Sequence, residues 1–97
     1  LGANKLKPIE VDILAKLLYI DDLYGHLSKE LRDSILFTQE TKKRIRQSLH
    51  NMSEASFNNV MLKLRRKKMI TKNSLLAKVP LDKKTNSIEI TYILTLE

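Results

Sequence analysis

The chain has 97 residues, of which 42% are hydrophobic and 30% charged, with a formal net charge of +7 and no cysteine. That length suits one domain around one modest core, and the balance of apolar and charged residues excludes a disordered tail. The lack of cysteine removes disulfides, thiolate metal sites and cysteine nucleophiles, and suits a reducing intracellular setting, cytoplasmic or nucleoid. No apolar run reaches the length of a membrane span and no signal peptide is visible, so no membrane partner is expected. The chain begins at Leu1 rather than Met, which reads as a processed product or a fragment of a larger protein.

Residues 1–7 form a polar lead-in. Pro8 suits the first position of a helix, where its missing N–H costs nothing. Ile9, Ile13, Leu17 and Ile20 recur at helical spacing, with Val11, Leu14 and Leu18 widening the stripe and Glu10 and Asp12 favourable in the first turn. This predicts a helix from Pro8 to about Leu23, ending near Gly25. Between Leu27 and Phe37 two readings compete: a short helix capped by Ser28 that turns Leu31 and Ile35 inward, or an extended segment from Ser34 to Phe37. We expect the short helix with an extended tail.

Thr38 caps the next helix, with Gln39 and Glu40 in its opening turn and Ile45 and Leu49 facing inward. His50-Asn51-Met52 breaks the pattern, and asparagine tolerates a left-handed turn. Ser53 then caps a helix whose Phe57, Val60, Met61 and Leu64 form an apolar stripe that reads as core. After Met69-Ile70 the period changes. Leu75–Val79, the turn-forming Pro80–Asn86 and Ser87–Leu96, with Ile88, Ile90, Tyr92, Leu94 and Leu96 alternating, predict an antiparallel hairpin. The expected class is α+β, mainly α: three or four helices with a C-terminal β-hairpin, in a single domain over 1–97.

The positive charge is concentrated. From Lys42 to Lys72 there are ten basic residues and one acid, Glu54, a net +9, while the rest of the chain carries −2. Such local density is what a polyanion-binding face needs.

The stretch Met52–Ile70, MSEASFNNVMLKLRRKKMI, resembles the recognition-helix signature of winged-helix transcription regulators. Ser53 stands at the cap, Phe57 four positions on, Leu64 seven after that, then Arg65 to Lys68 and the apolar pair Met69-Ile70. Ile45, Leu49 and Met52 match the positions that lock the first helix of the motif onto the second. The likeness is at superfamily level and covers roughly residues 38–96. It implies a helix-turn-helix over about 38–69 and a hairpin wing over about 75–96. Lys68 departs from the pattern, because glycine often stands there; a lysine would disfavour a left-handed cap, so the helix is expected to run on or the turn to differ.

A recognition helix puts its N-terminal half into the major groove. The expected base contacts are Ser56, Asn58, Asn59 and Lys63, with asparagine able to pair with adenine and lysine with guanine. Lys42, Lys43, Arg46, Arg66 and Lys67 are expected on phosphates, with Lys83 and Lys84 reaching the backbone from the hairpin tip. Blander readings stand beside these. Arg65 to Lys68 could be only a solvated helix end, and charged hairpin tips are common for solubility alone. His26 and His50 lack metal-ligand spacing, Asp21-Asp22 has no partner for acid–base work, and Asn51-Met52-Ser53 matches a glycosylation sequon by chance. The aromatics do not interleave with the cations, against a single-strand stacking platform.

Double-stranded DNA is therefore the expected partner, in transcription regulation or DNA replication or partition. The alternative is a protein-docking module, favoured by Leu62 on the outer face of the basic helix. An enzyme is not expected: no phosphate loop, no nucleophile with its base, no metal cluster, no cofactor and no small-molecule ligand is suggested. The apolar first helix could offer a homodimer surface, and packing on the domain's own core explains it equally.

Overall fold

A computed structural model of the chain describes residues 6–77. Within them lie α1 (Pro8–Leu23), α2 (Lys29–Leu36), α3 (Gln39–Ser48) and α4 (Glu54–Arg66). Each helix starts where a local group satisfies its first N–H donors. In α1, Pro8 opens the first turn, and Glu10 accepts the N–H of the N-cap residue Lys7 at 3.0 Å. Ser28, Thr38 and Ser53 cap the other three, their hydroxyls accepting from the N–H groups of Leu31, Thr41 and Ser56 at 3.3, 3.1 and 3.1 Å. Gly25 follows the end of α1 without a left-handed backbone; a Cβ there would lie 3.1 Å from the Asp22 carbonyl oxygen.

α1 packs against α2 and α4, and α3 closes the arrangement by packing on the same two helices. α1 is the central post. Val11, Ile13, Leu14, Ala15, Leu17 and Leu18 are all buried, so its broad apolar face is taken up by the chain's own core. They meet Leu36 of α2, Ile45 of α3 and the inner row of α4, Phe57, Val60, Met61 and Leu64.

α2 departs from expectation in two ways. It continues through Leu36, leaving no extended tail at Ser34–Phe37. Its buried residues are Asp33 and Leu36, while Leu31 is 54% exposed. The cause is polar. Asp33 accepts from the Lys29 ammonium at 2.7 and 2.9 Å, the Ser74 hydroxyl at 2.9 Å and the Leu75 N–H at 3.1 Å. Lys29 also donates to the Leu75 carbonyl at 2.7 Å. α2 thus turns a carboxylate inward to hold a segment more than forty residues away in the chain.

The α+β class with a hairpin wing is not what the described residues form. They contain four helices and no strand, and their one β-type pairing is an isolated antiparallel bridge, Ile70 with Leu75. Thr71 N–H donates to Ser74 O at 2.8 Å and Leu76 N–H to Met69 O at 2.9 Å, which closes a tight turn rather than starting a ladder. In such a pair the N–H and C=O of Leu75 point away from Ile70, toward where a next strand would join. Asp33 and Lys29 occupy both. Hydrophobic alternation could not signal this, because side chains of another element do the blocking. The hairpin expected over 75–96, with its tip at Lys83 and Lys84, lies outside the described residues from 78 onward.

Three non-glycine residues adopt left-handed backbone conformations: His50 (φ 58°), Asn51 (φ 55°) and Lys68 (φ 62°). Asn51 was expected to; Lys68 was not. α4 ends after Arg66, with Lys68 N–H donating to Arg65 O and Met69 N–H to Leu64 O, both at 3.0 Å. That pair of bonds forms a Schellman turn, with Lys68 where glycine would be unstrained. The turn is kept because two otherwise orphaned carbonyls are satisfied and Met69 returns to pack on the core.

Lys68→Gly should raise stability by about 1 kcal/mol, since the left-handed conformation costs an L side chain about that much. A higher urea midpoint followed by circular dichroism would show it; a lower one would mean that the lysine side chain contributes more than its backbone strain costs. Burial raises the pKa of Asp33, but the hydrogen bonds from Lys29, Leu75 and Ser74 outweigh it and hold the carboxyl below its ordinary value. Its folded value being depressed, Asp33 stabilises the fold above the unfolded pKa of about 3.9, and that contribution is lost as pH falls through the folded value. The urea midpoint should therefore drop between about pH 5 and about pH 2, and Asp33→Asn should start lower and drop less.

Candidate nucleic-acid interface

α3 and α4 are joined by a turn at 49–53 that Arg46 braces from both sides. Its carbonyl accepts the Met52 N–H at 3.0 Å, and its guanidinium donates to the Met52 carbonyl at 3.2 Å. Leu49 and Met52 pack against the core from within the turn. The two helices and the turn thus pack as one unit, with Ile45, Leu49 and Phe57 in or against the same core.

α4 advances about 100° per residue, and its inner row fixes where the rest point. Ala55, Asn59, Leu62 and Arg66 form the row opposite the core, and all are exposed. Asn58 and Arg65 lie on one flank; Ser56, Lys63 and Lys67 lie on the other. The expected base-contact set is therefore split: Asn59 is central, Asn58 is on one flank, and Ser56 and Lys63 are on the far one. Ser56, Asn58 and Asn59 are exposed and Lys63 is half-buried.

The cations fall into two groups. Some have intramolecular work. Lys67, expected on a phosphate, makes an ion pair with Glu10 of α1, and that carboxylate is 1% exposed. Arg46 braces the turn, and Arg44 pairs at the surface with Glu40 at 3.2 Å. By contrast Lys42, Lys43, Lys63, Arg65, Arg66, Lys68 and Lys72 make no ion pair among the described residues. Arg65, Lys68 and Lys72 were not among the expected contacts. Lys83 and Lys84 lie outside the described residues.

A cleft of about 170 Å³ brings several of these together. Lys42 of α3, Asn58 and Arg65 of α4, and Thr71 and Lys72 of the following turn form its rim, over Met61 and Ile70. It joins one residue expected on bases, Asn58, with one expected on phosphates, Lys42. Arg65 and Lys72 were legible only as members of the basic cluster; their convergence follows from the reversal of the chain at Lys68.

The chain matches no family model, no curated protein and no solved structure. Among the described residues no helix is long and apolar enough to cross a membrane, and no group of His, Cys, Asp or Glu could hold a metal ion.

Burial raises the Glu10 pKa, but the hydrogen bonds from the Lys67 ammonium and the Lys7 N–H outweigh it and hold the carboxyl below its usual range. Lys67 therefore neutralises a buried charge. Lys67→Ala should cost roughly 2 kcal/mol of stability by leaving Glu10 unpaired, whereas Arg66→Ala, on the outward row, should change it by less than about 0.5 kcal/mol. Parallel urea titrations check both, and equal effects would remove the distinction between the cation that neutralises Glu10 and those on the outward row.

Proposed function

We propose that this protein binds duplex DNA through the α3–turn–α4 unit, with the outward row of α4 in the major groove. The observation that carries the reading is the set of seven cations, spread over α3, α4 and the turn after it, that make no ion pair among the described residues, beside an outward row that offers Asn59 and Arg66 with Asn58 on its flank. An unpaired cation keeps its full attraction for a polyanion, and asparagine and arginine are the side chains that read adenine and guanine edges. The likeness of Met52–Ile70 to the recognition helix of transcription regulators supports the same reading. Transcription control and DNA replication or partition are the roles it suits.

A second reading is a protein-docking module. Leu62, 36% exposed at the centre of the outward row, favours it. A thymine methyl also accepts such a contact, so Leu62 fits both, while the unpaired cations favour DNA.

Fluorescence anisotropy with a mixed-sequence duplex at two salt concentrations tests the proposal. Wild type should bind with a micromolar or tighter Kd, on the order expected for non-specific binding, and weaken steeply with salt. Lys63→Glu/Arg66→Glu should abolish binding with the helical circular-dichroism spectrum intact. A wild type that ignores duplex DNA at low salt would overturn the reading and turn the search to a protein partner for this face.

A further inference from the structure

We propose that the cleft between α3, α4 and the 70–72 turn seats a single phosphate group. Three cations, Lys42, Arg65 and Lys72, reach it from three different elements, and none has a carboxylate partner among the described residues. Like charges lining one cleft repel one another, and an anion between them would relieve that repulsion. Neutral donors complete the rim. The Thr71 hydroxyl oxygen already accepts the Asn73 N–H at 3.2 Å, which leaves its proton to donate into the cleft. The Asn58 side chain is exposed and makes no hydrogen bond among the described residues.

The shape selects the ligand. The cleft has a volume of about 170 Å³. That is room for a phosphate and the edge of its sugar, and below the range of about 300–1,000 Å³ usual for organic-ligand pockets. Donors converging from three directions suit a tetrahedral anion; a planar carboxylate would need only the fork of one arginine.

Two sources supply that chemistry, a phosphate of the DNA backbone and free inorganic phosphate, and we assign the seat to the backbone. In that form the inference rests on the DNA-binding reading. With the outward row of α4 in the groove, the flank of Asn58 and Arg65 comes beside one phosphate wall, because the major groove is about 12 Å wide and a helix with its side chains about 10–12 Å across. That flank lies a quarter-turn from Asn59 and Arg66. The cleft is then where one strand's backbone enters the protein.

The test uses the full chain and the variants Arg65→Gln, Lys72→Gln and the double variant, all at exposed positions away from the outward row. The slope of log Kobs against log salt is measured for a mixed-sequence duplex. In parallel, inorganic phosphate is titrated at constant ionic strength while the amide signals of Asn58, Thr71 and Lys72 are followed by NMR. If both residues hold the same phosphate, each single variant lowers the slope by about one unit and the double variant by no more than that. A double variant that loses about two units places the cations on separate phosphates and overturns the seat. An unchanged slope in all three, with no phosphate-induced amide shifts, overturns it while leaving DNA binding standing. An unchanged slope with shifts that vanish in the double variant moves the seat to free phosphate. If wild type binds no duplex, the DNA reading fails by itself, and the phosphate titration alone then supports the seat or removes it.

Discussion

Glu10 is the point on which the arrangement of the basic half depends. A carboxylate this deeply buried is tolerable only if its charge is matched and its oxygens are bonded. One oxygen takes both the Lys7 N–H and the Lys67 ammonium; the other, Oε2, is buried without a partner among the described residues. The same group therefore starts α1 and receives the end of α4. Because Lys67 is held there, the flank of α4 that bears Ser56 and Lys63 is turned toward α1. The row of Asn59 and Arg66 is left facing outward, and the flank of Asn58 and Arg65 faces the N-terminal part of α3. The inner row of α4 sets its depth in the core and which face points outward, and the ion pair fastens its C-terminal end to α1.

The chain leaving α4 is constrained as closely. Lys68 reverses it through a left-handed turn, Met69 and Ile70 return to the core, and the turn 71–74 carries it back to Leu75. There Asp33 and Lys29 of α2 take hold of both backbone groups of Leu75. The wall of the basic cleft formed by Ile70, Thr71 and Lys72 is thus fixed from two sides, by a strained reversal and by a buried carboxylate. A clamp of this kind explains how a residue as exposed as Lys72 comes to share a cleft with residues of α3 and α4.

Much of the helical frame was legible from local chemistry. Pro8, Ser28, Thr38 and Ser53 mark the starts of the four helices, and the row of Phe57, Val60, Met61 and Leu64 marks the inner face of α4, because caps and periodicity act within a turn or two of the chain. What was missed acts over distance. Asp33 bonds to residues 41 and 42 positions away and Lys67 to one 57 positions away. Nothing near Leu31 announces that α2 will turn a carboxylate inward and leave that leucine outside. Nothing in Arg65-Arg66-Lys67-Lys68 separates the lysine that neutralises a buried acid from the neighbours that make no ion pair among the described residues. Lys68 misled for a different reason: propensity disfavours a left-handed lysine, and two backbone hydrogen bonds with the return of Met69 overrule it. For the candidate interface, the sequence located the basic segment and the outward row; the cleft needed the fold of 68–75.

The remaining acids of the basic half show the same economy of charge. Residues 8–36 carry a net −3 and residues 39–72 a net +8, so α1 and α2 form an acidic body beneath a basic face. Only Glu40 and Glu54 stand on that face. Both lie in the first turn of their helices, where a carboxylate is favourable against the helix dipole. Glu40 is further occupied by Arg44. The carboxylates that could cancel the cations of α4 are therefore either confined to helix starts or held in α1 and α2, where Glu10, Asp21 and Asp33 are each already paired with a cation. A charge distribution separated in this way concentrates the positive potential over α3 and α4. The core and the two buried carboxylates hold that face in place through the Lys67 and Leu75 contacts.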